Sequence, residues 1–245
     1  IPDVPSTLLS QNLDIDKVQK ACFQRLAHLK MMHSTYESSP RSWDKEERKL
    51  VSDPAQVWTV GFYVGCLWQA FEQTGDSSWM WEAQKFDDFL ASQRHNSRTH
   101  DLGFMLYCPL GKAYELSKNP VYEKILLDAA SSLELRFSYK LGAIESQNTP
   151  SENEFVVIVD NLMNLELLCW AAGVCEDNLL HKRIQSHANF TMDHFVRKQS
   201  DCRVHHKLIF DPKSGELTQV LPGQGYSETS VWSRGQAWGI YGYGM

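Results

Sequence analysis

The chain has 245 residues, 42% hydrophobic and 22% charged, with a formal net charge of −6. That length bounds it to one large domain or two small ones, with enough apolar material for a sizeable core. The acidic balance gives no sign of a nucleic-acid surface, so an anionic ligand must be held by local Arg and His residues.

Apolar spacing predicts helices almost throughout. Residues 14–33 begin behind a polar cap and repeat apolar positions at three and four. Ser52-Asp53-Pro54 reads as a helix opening, and that helix runs through GFYVGCLWQAFEQ to Thr74-Gly75-Asp76. SSWMWEAQKFDDFLASQ is expected as one further helix, HDLGFMLYCPLGKAYEL opens the next, and Asn119-Pro120 starts another. An apolar run, FVVIV, leads into a helix at DNLMN, and DNLLHKRIQSHANFTMDHFVRK forms its successor. The pattern then changes. RVHHKLIFDPKSGELTQV reads as two extended segments joined by a turn at residues 211–215. VWSRGQAWGIYGYGM is a final helix, and the chain stops inside it.

About eight helices with one late hairpin suggest stacked helical hairpins, a toroid or solenoid rather than a four-helix bundle. No linker or composition shift divides the chain, so residues 1–245 are expected to form one all-α domain. Cys22, Cys66, Cys108, Cys169, Cys175 and Cys202 form no CxxC pair and are expected as buried thiols, without a metal site or a disulfide framework. No apolar run is long enough to span a bilayer. Ile1 opens the chain without a Met, which fits a removed leader or a start within a longer gene and leaves the compartment open.

Two carboxylates stand out. Asp101 in HDLGFM and Asp160 in VDNLMN each precede a small or polar residue and an apolar helix with Met close behind. Asp is a favoured N-cap, and capping lowers its pKa, which handicaps an acid. Against this, the apolar FVVIV approach and a second carboxylate across a cavity would each raise the pKa of Asp160. Paired carboxylates in different environments do acid–base work on glycans. Capping and catalysis both remain open at this point.

A third constellation lies between Gln224 and Trp238. Arg234 offers a planar fork for a carboxylate, and Trp232 and Trp238 offer faces for a sugar ring, unless the tryptophans are core and the arginine pairs structurally. His205 and His206 are neighbours in an extended segment and point to opposite faces, so at most one faces a site. His206 with Asp211 is not a metal pattern. Trp58 is a further stacking candidate, or core.

Together WTVGFYVGCLW, HDLGFM, VDNLMNLELLCWA, DCRVHH with FDPKSGE, and QGYSETSVWSRGQAWGIYGY resemble glycoside hydrolase family 88, the unsaturated glucuronyl hydrolases. The pieces come in the family's order over most of residues 50–245, and the last block is the most specific. The resemblance implies an (α/α)6 barrel of six helical hairpins and no metal or cofactor. It implies a substrate made by a polysaccharide lyase: an oligosaccharide with a 4,5-unsaturated uronic acid at its non-reducing end. The C4=C5 enol ether is hydrated rather than the anomeric carbon attacked. By position, Asp160 is then the acid and later the base, and Asp101 the second carboxylate. His206, matched by its spacing from Asp201, and Gln224, Trp232, Arg234 and Trp238 line the subsites, with Trp58 stacking on the sugar. The sequence departs from the family in two places. Ser146 is followed by Gln147 where a Trp is usual, which puts one stacking wall in doubt. The chain also ends at Met245, so about four of twelve helices are expected to be missing, leaving an open apolar edge. Two other readings stand beside the first: the related unsaturated rhamnogalacturonyl hydrolases, and an inactive relative that only binds a uronate sugar or a partner protein.

Overall fold

The computed structural model describes residues 14–146, 153–197 and 202–245. Gln147, which follows Ser146, and Asp201 lie outside these residues. Helix α1 (Ile15–Met32) starts where Asp14 accepts the amide of Lys17, at 3.1 Å, but it buries no residue fully. Its Phe23, Leu26 and Ala27 only lean on the core.

The next segment corrects the sequence reading. Strands β1 (Ser39–Asp44) and β2 (Lys49–Asp53) pair antiparallel, with Trp43 opposite Leu50. Ser52-Asp53-Pro54 therefore ends a strand and opens no helix. Buried Asp53 accepts the Thr59 hydroxyl at 2.9 Å and faces Arg41 at 3.3 Å, which fixes the turn into α2 (Val60–Thr74). Helix α2 ends at Gly75, whose φ of 69° suits a left-handed cap.

The expected single helix after Gly75 is two: α3 (Ser77–Gln84), capped by Asp76, and α4 (Asp87–Ala91). Between them Phe86 is fully buried against His33, Tyr36 and Tyr63. Burying that ring takes the chain out of helical register.

HDLGFMLYCPLGKAYEL is also divided. Gly103–Gly111 is a π-helix, followed by α5 (Lys112–Ser117). Pro109 lies inside the π-helix and has no N–H to give to a regular turn. Helix α2 lies unusually close here: a Cβ on Gly61 would stand 2.1 Å from the Phe104 carbonyl oxygen.

Helix α6 (Pro120–Glu134) opens as expected, with Asn119 accepting the Val121 amide at 3.0 Å and Pro120 in the first turn. A short hairpin of β3 (Phe137–Ser138) and β4 (Ala143–Ile144) follows. The late hairpin is larger than the sequence suggested. FVVI is strand β5 (Phe155–Ile158), all four residues buried, and it joins β6 (Lys207–Phe210) and β7 (Leu217–Leu221) in a three-stranded antiparallel sheet. Helices α7 (Asn161–Cys175), α8 (Asn178–Phe195, capped by Asp177) and α9 (Ser233–Gly244) complete the chain. Leu162, Leu167 and Leu168 of α7 are within 1% of complete burial; each such side chain contributes roughly 1.5–3 kcal/mol.

Among the described residues all six cysteines are free and exposed, not buried. Cys66, Cys108 and Cys169 lie on α2, the π-helix and α7, and partial burial still pushes each of these thiols up. No helix among the described residues is long and apolar enough to cross a membrane.

Candidate active site

Strand β5 delivers the chain to α7. Val159 extends the ladder by donating to the His206 carbonyl at 3.0 Å, and Asp160 is next. Asp14, Asp76 and Asp177 cap their helices from extended backbone and accept amides. Asp160 differs. Its backbone is already helical (φ −57°, ψ −24°), and its side chain accepts no bond from α7. It is 8% exposed, and its Oδ2 lies 3.4 Å from His206 Nε2 without an aligned hydrogen bond. Asp160 starts the helix but does not cap it.

His206 is held from behind. Its Nδ1 accepts the Gln224 amide at 2.9 Å, so the ring hydrogen sits on Nε2, facing Asp160. This contact requires Gly223: its φ is +58°, and a Cβ there would stand 1.9 Å from Nδ1. His205, as alternation demands, serves elsewhere. Burial and then the neighbouring Arg197 lower its pKa.

From His206 a continuous chain of flat groups runs around the site. Trp232 lies 4.2 Å from the His206 ring. The Arg234 guanidinium lies over two tryptophans, 4.3 Å from Trp232 and 5.5 Å from Trp58, and donates to Gln224 Oε1 at 2.5 Å. Trp58 meets Phe104 at 5.3 Å, and Phe104 meets Trp238 at 5.4 Å. The structure thus brings together Trp58, Asp160, His206, Gln224, Trp232, Arg234 and Trp238. Phe104 and Phe62 complete the wall and were missed by the sequence reading. Phe62 lies one helical turn after Trp58 and Phe104 three residues after Asp101, and spacing was the only signal for either.

Asp160 Oδ2, His206 Nε2, Arg234 Nε and Trp238 Nε1 are buried without hydrogen-bond partners among the described residues. Such orphans are costly in a folded protein, about 1–3 kcal/mol each. Four of them on one aromatic-walled site suit a flat, polar, oxygen-rich ligand.

Asp101 joins from the neighbouring segment. Its carbonyl accepts the Met105 amide at 2.9 Å, its Oδ2 accepts the Thr99 hydroxyl at 3.2 Å, and its Oδ1 lies 3.1 Å from His100 Nε2. The segments that carry the two carboxylates are tied through α7: Asn164 Oδ1 accepts the Phe104 amide at 3.1 Å, and its Nδ2 reaches the Asp160 carbonyl at 3.4 Å. Gly103 permits that approach, since a Cβ there would lie 2.7 Å from Asn164 Oδ1. A cavity of about 660 Å³ continues from Phe104 and Trp238 along Tyr107, Glu166 and Trp170. No group of three or more His, Cys, Asp or Glu among the described residues has the arrangement of a metal site.

The chain is mostly helical, and its buried Asp160, the Asp101 carboxylate and the wall of tryptophans are groups of the kind carbohydrate-active proteins use. No family model matches the chain. It is 36% identical over 225 residues to an unsaturated glucuronyl hydrolase of Formosa agariphila, covering 91% of this chain and 55% of that protein. It is 35% identical over 211 residues to an unsaturated chondroitin disaccharide hydrolase of Streptococcus pyogenes serotype M1, covering 84% and 52%. The crystal structure of an unsaturated glucuronyl hydrolase specific for heparin superposes with a TM-score of 0.83 at 38% identity, over 89% of this chain and 57% of that one. The chain spans about half the length of the curated relatives it matches. It belongs to the unsaturated glucuronyl hydrolases, glycoside hydrolase family 88.

Proposed function

We propose that this chain acts on oligosaccharides bearing a 4,5-unsaturated glucuronic acid at the non-reducing end, the products of polysaccharide lyases, by hydrating the C4=C5 enol ether. The observation that carries this is Asp160: a buried carboxyl at a helix start that caps nothing and lies instead against His206, which packs on Trp232 of the aromatic wall. Asp160 gives its proton to C4, and the charge that develops at C5 is shared with the ring oxygen. The carboxylate left behind then takes a proton from the water that adds at C5. The resulting hemiketal opens and releases the remaining sugar, so no nucleophile is needed at the anomeric carbon.

The other residues act around this step. His206 presents its Nε2 hydrogen to Asp160 and orients it. Asp101 is the second carboxylate. Arg234, backed by Gln224, offers a planar donor group to the uronate carboxylate. Trp58, Trp232 and Trp238 give stacking faces to the sugar rings. The family names of the relatives, glucuronyl and chondroitin disaccharide hydrolases, support this substrate over a rhamnogalacturonan fragment. For the architecture, we propose that residues 1–245 form one domain built on the (α/α)6 toroid of helical hairpins.

Asp160→Asn is the test. Turnover of an unsaturated chondroitin disaccharide, followed by loss of its ultraviolet absorbance, is expected to fall by about 10³-fold or more, within the range for removing a general acid–base group. Disaccharide binding, measured by calorimetry, is expected to persist. An Asp160→Asn protein with a near-normal rate would remove Asp160 from the chemistry.

A further inference from the structure

His100 and Ser146 take no part in the step described above, yet both are almost completely buried behind it, 4% and 2% exposed. His100 Nδ1 lies 2.5 Å from the Ser146 carbonyl oxygen. A carbonyl only accepts, so Nδ1 carries a hydrogen. The opposite nitrogen, Nε2, lies 3.1 Å from Asp101 Oδ1. The contact is close but is not an aligned hydrogen bond, and Nε2 has no other hydrogen-bond partner among the described residues.

The same serine bonds residues on both sides of the other carboxylate. Its hydroxyl donates to Asn161 Oδ1 at 2.8 Å and accepts the Ile158 amide at 2.7 Å. Asn161 in turn donates to the Ile144 carbonyl at 2.7 Å. Asn161 follows Asp160 directly, and Ile158 ends the strand before it. Among the described residues, His187 acts on His100 from α8, and Arg136, paired with Glu145 at 3.8 Å, acts on Asp101.

We propose that His100 is the positioning residue of Asp101, its ring anchored through Nδ1 on the Ser146 carbonyl and set with Nε2 against the Asp101 carboxylate, and that Ser146 fixes this pair in register with the start of α7 at Asp160. The inference rests on the reading of Asp101 and Asp160 as the site's two carboxylates. It assigns a role to the HisAsp pair of HDLGFM and to the serine that precedes the departure from the family pattern.

Two measurements test it on the full chain. The first is nuclear magnetic resonance of isotope-labelled histidine, with His100→Gln used to assign the signal. The proposal requires hydrogen on Nδ1 of His100; a ring with bare Nδ1 overturns it, whatever the protein's activity. The second is kinetic. His100→Asn keeps an amide at the place of Nδ1, for Ser146, but withdraws from Asp101. His100→Gln puts its amide at the place of Nε2, toward Asp101. We expect kcat of His100→Asn to fall by about 10- to 100-fold, the range typical for loss of a group that orients another from behind, with KM and melting temperature unchanged. His100→Gln is expected to recover most of kcat. Equal losses in both variants, or no loss in either, overturn the proposal. If the unaltered chain turns over no unsaturated disaccharide, the functional reading fails, while the resonance measurement still decides where the proton sits.

Discussion

Asp160 shows how little separates a cap from an acid in sequence. An Asp before an apolar helix read first as a cap, and the backbone shows that this one caps nothing. Asp14, Asp76 and Asp177 have extended angles and accept their helix amides, whereas Asp160 has helical angles and accepts none. Only the two-residue turn of Val159 and Asp160 separates β5 from α7, and FVVI did not announce itself as a strand because a short apolar run fits either period. His206 was legible from its spacing; the glycine that positions it was not. Gly223→Ala puts a Cβ against His206 Nδ1 and a side chain at φ +58°. It is expected to cost about 1–3 kcal/mol in urea unfolding and to lower kcat by displacing His206 from Asp160. Wild-type kcat in this variant would mean that His206 does not orient Asp160.

At the scale of elements, the helices with unambiguous ends were readable: Asn119-Pro120 opens α6 and Asp177 opens α8. The misreadings have physical causes. Ser-Asp-Pro can close a strand as well as open a helix, Phe86 leaves helical register to be buried, and Pro109 forces a π-turn. Contacts between elements were not readable at all. One of them carries a pH signature. Asp87, at the start of α4, accepts the Tyr122 hydroxyl of α6 at 2.8 Å. Burial pushes its carboxyl up to about 6, against the opposing effect of that hydrogen bond, whereas an unfolded Asp titrates near 3.9. The folded chain therefore binds this proton more tightly. Its contribution to stability is intact below about pH 4 and is lost as pH rises toward 6. Asp87→Asn keeps an acceptor for Tyr122 and removes the titration. Melting curves should show the variant gaining on the parent between pH 4 and 6, with parity at the acid end; parallel curves would contradict this.

Across the whole molecule, the site draws on residues from Trp58 to Trp238, spread over α2, the π-helix, α7, the sheet and α9. The sequence blocks that resembled the family are the ones the fold gathers: the aromatic groups and Arg234 form one wall, and Asn164 ties the Asp101 segment to Asp160. The parts played by Phe104 and Ser146 stayed hidden because their partners, Trp58, Trp238, Asn161 and His100, are met only in three dimensions. The central claim is that this pocket hydrates an unsaturated glucuronyl end. The most direct test is to follow the ultraviolet absorbance of the enol ether when the chain is mixed with unsaturated chondroitin- or heparin-type disaccharides, beside a rhamnogalacturonan disaccharide. The account predicts that absorbance is lost with the glucuronyl substrates. Folded protein that consumes only the rhamnogalacturonan substrate, or neither, would contradict it.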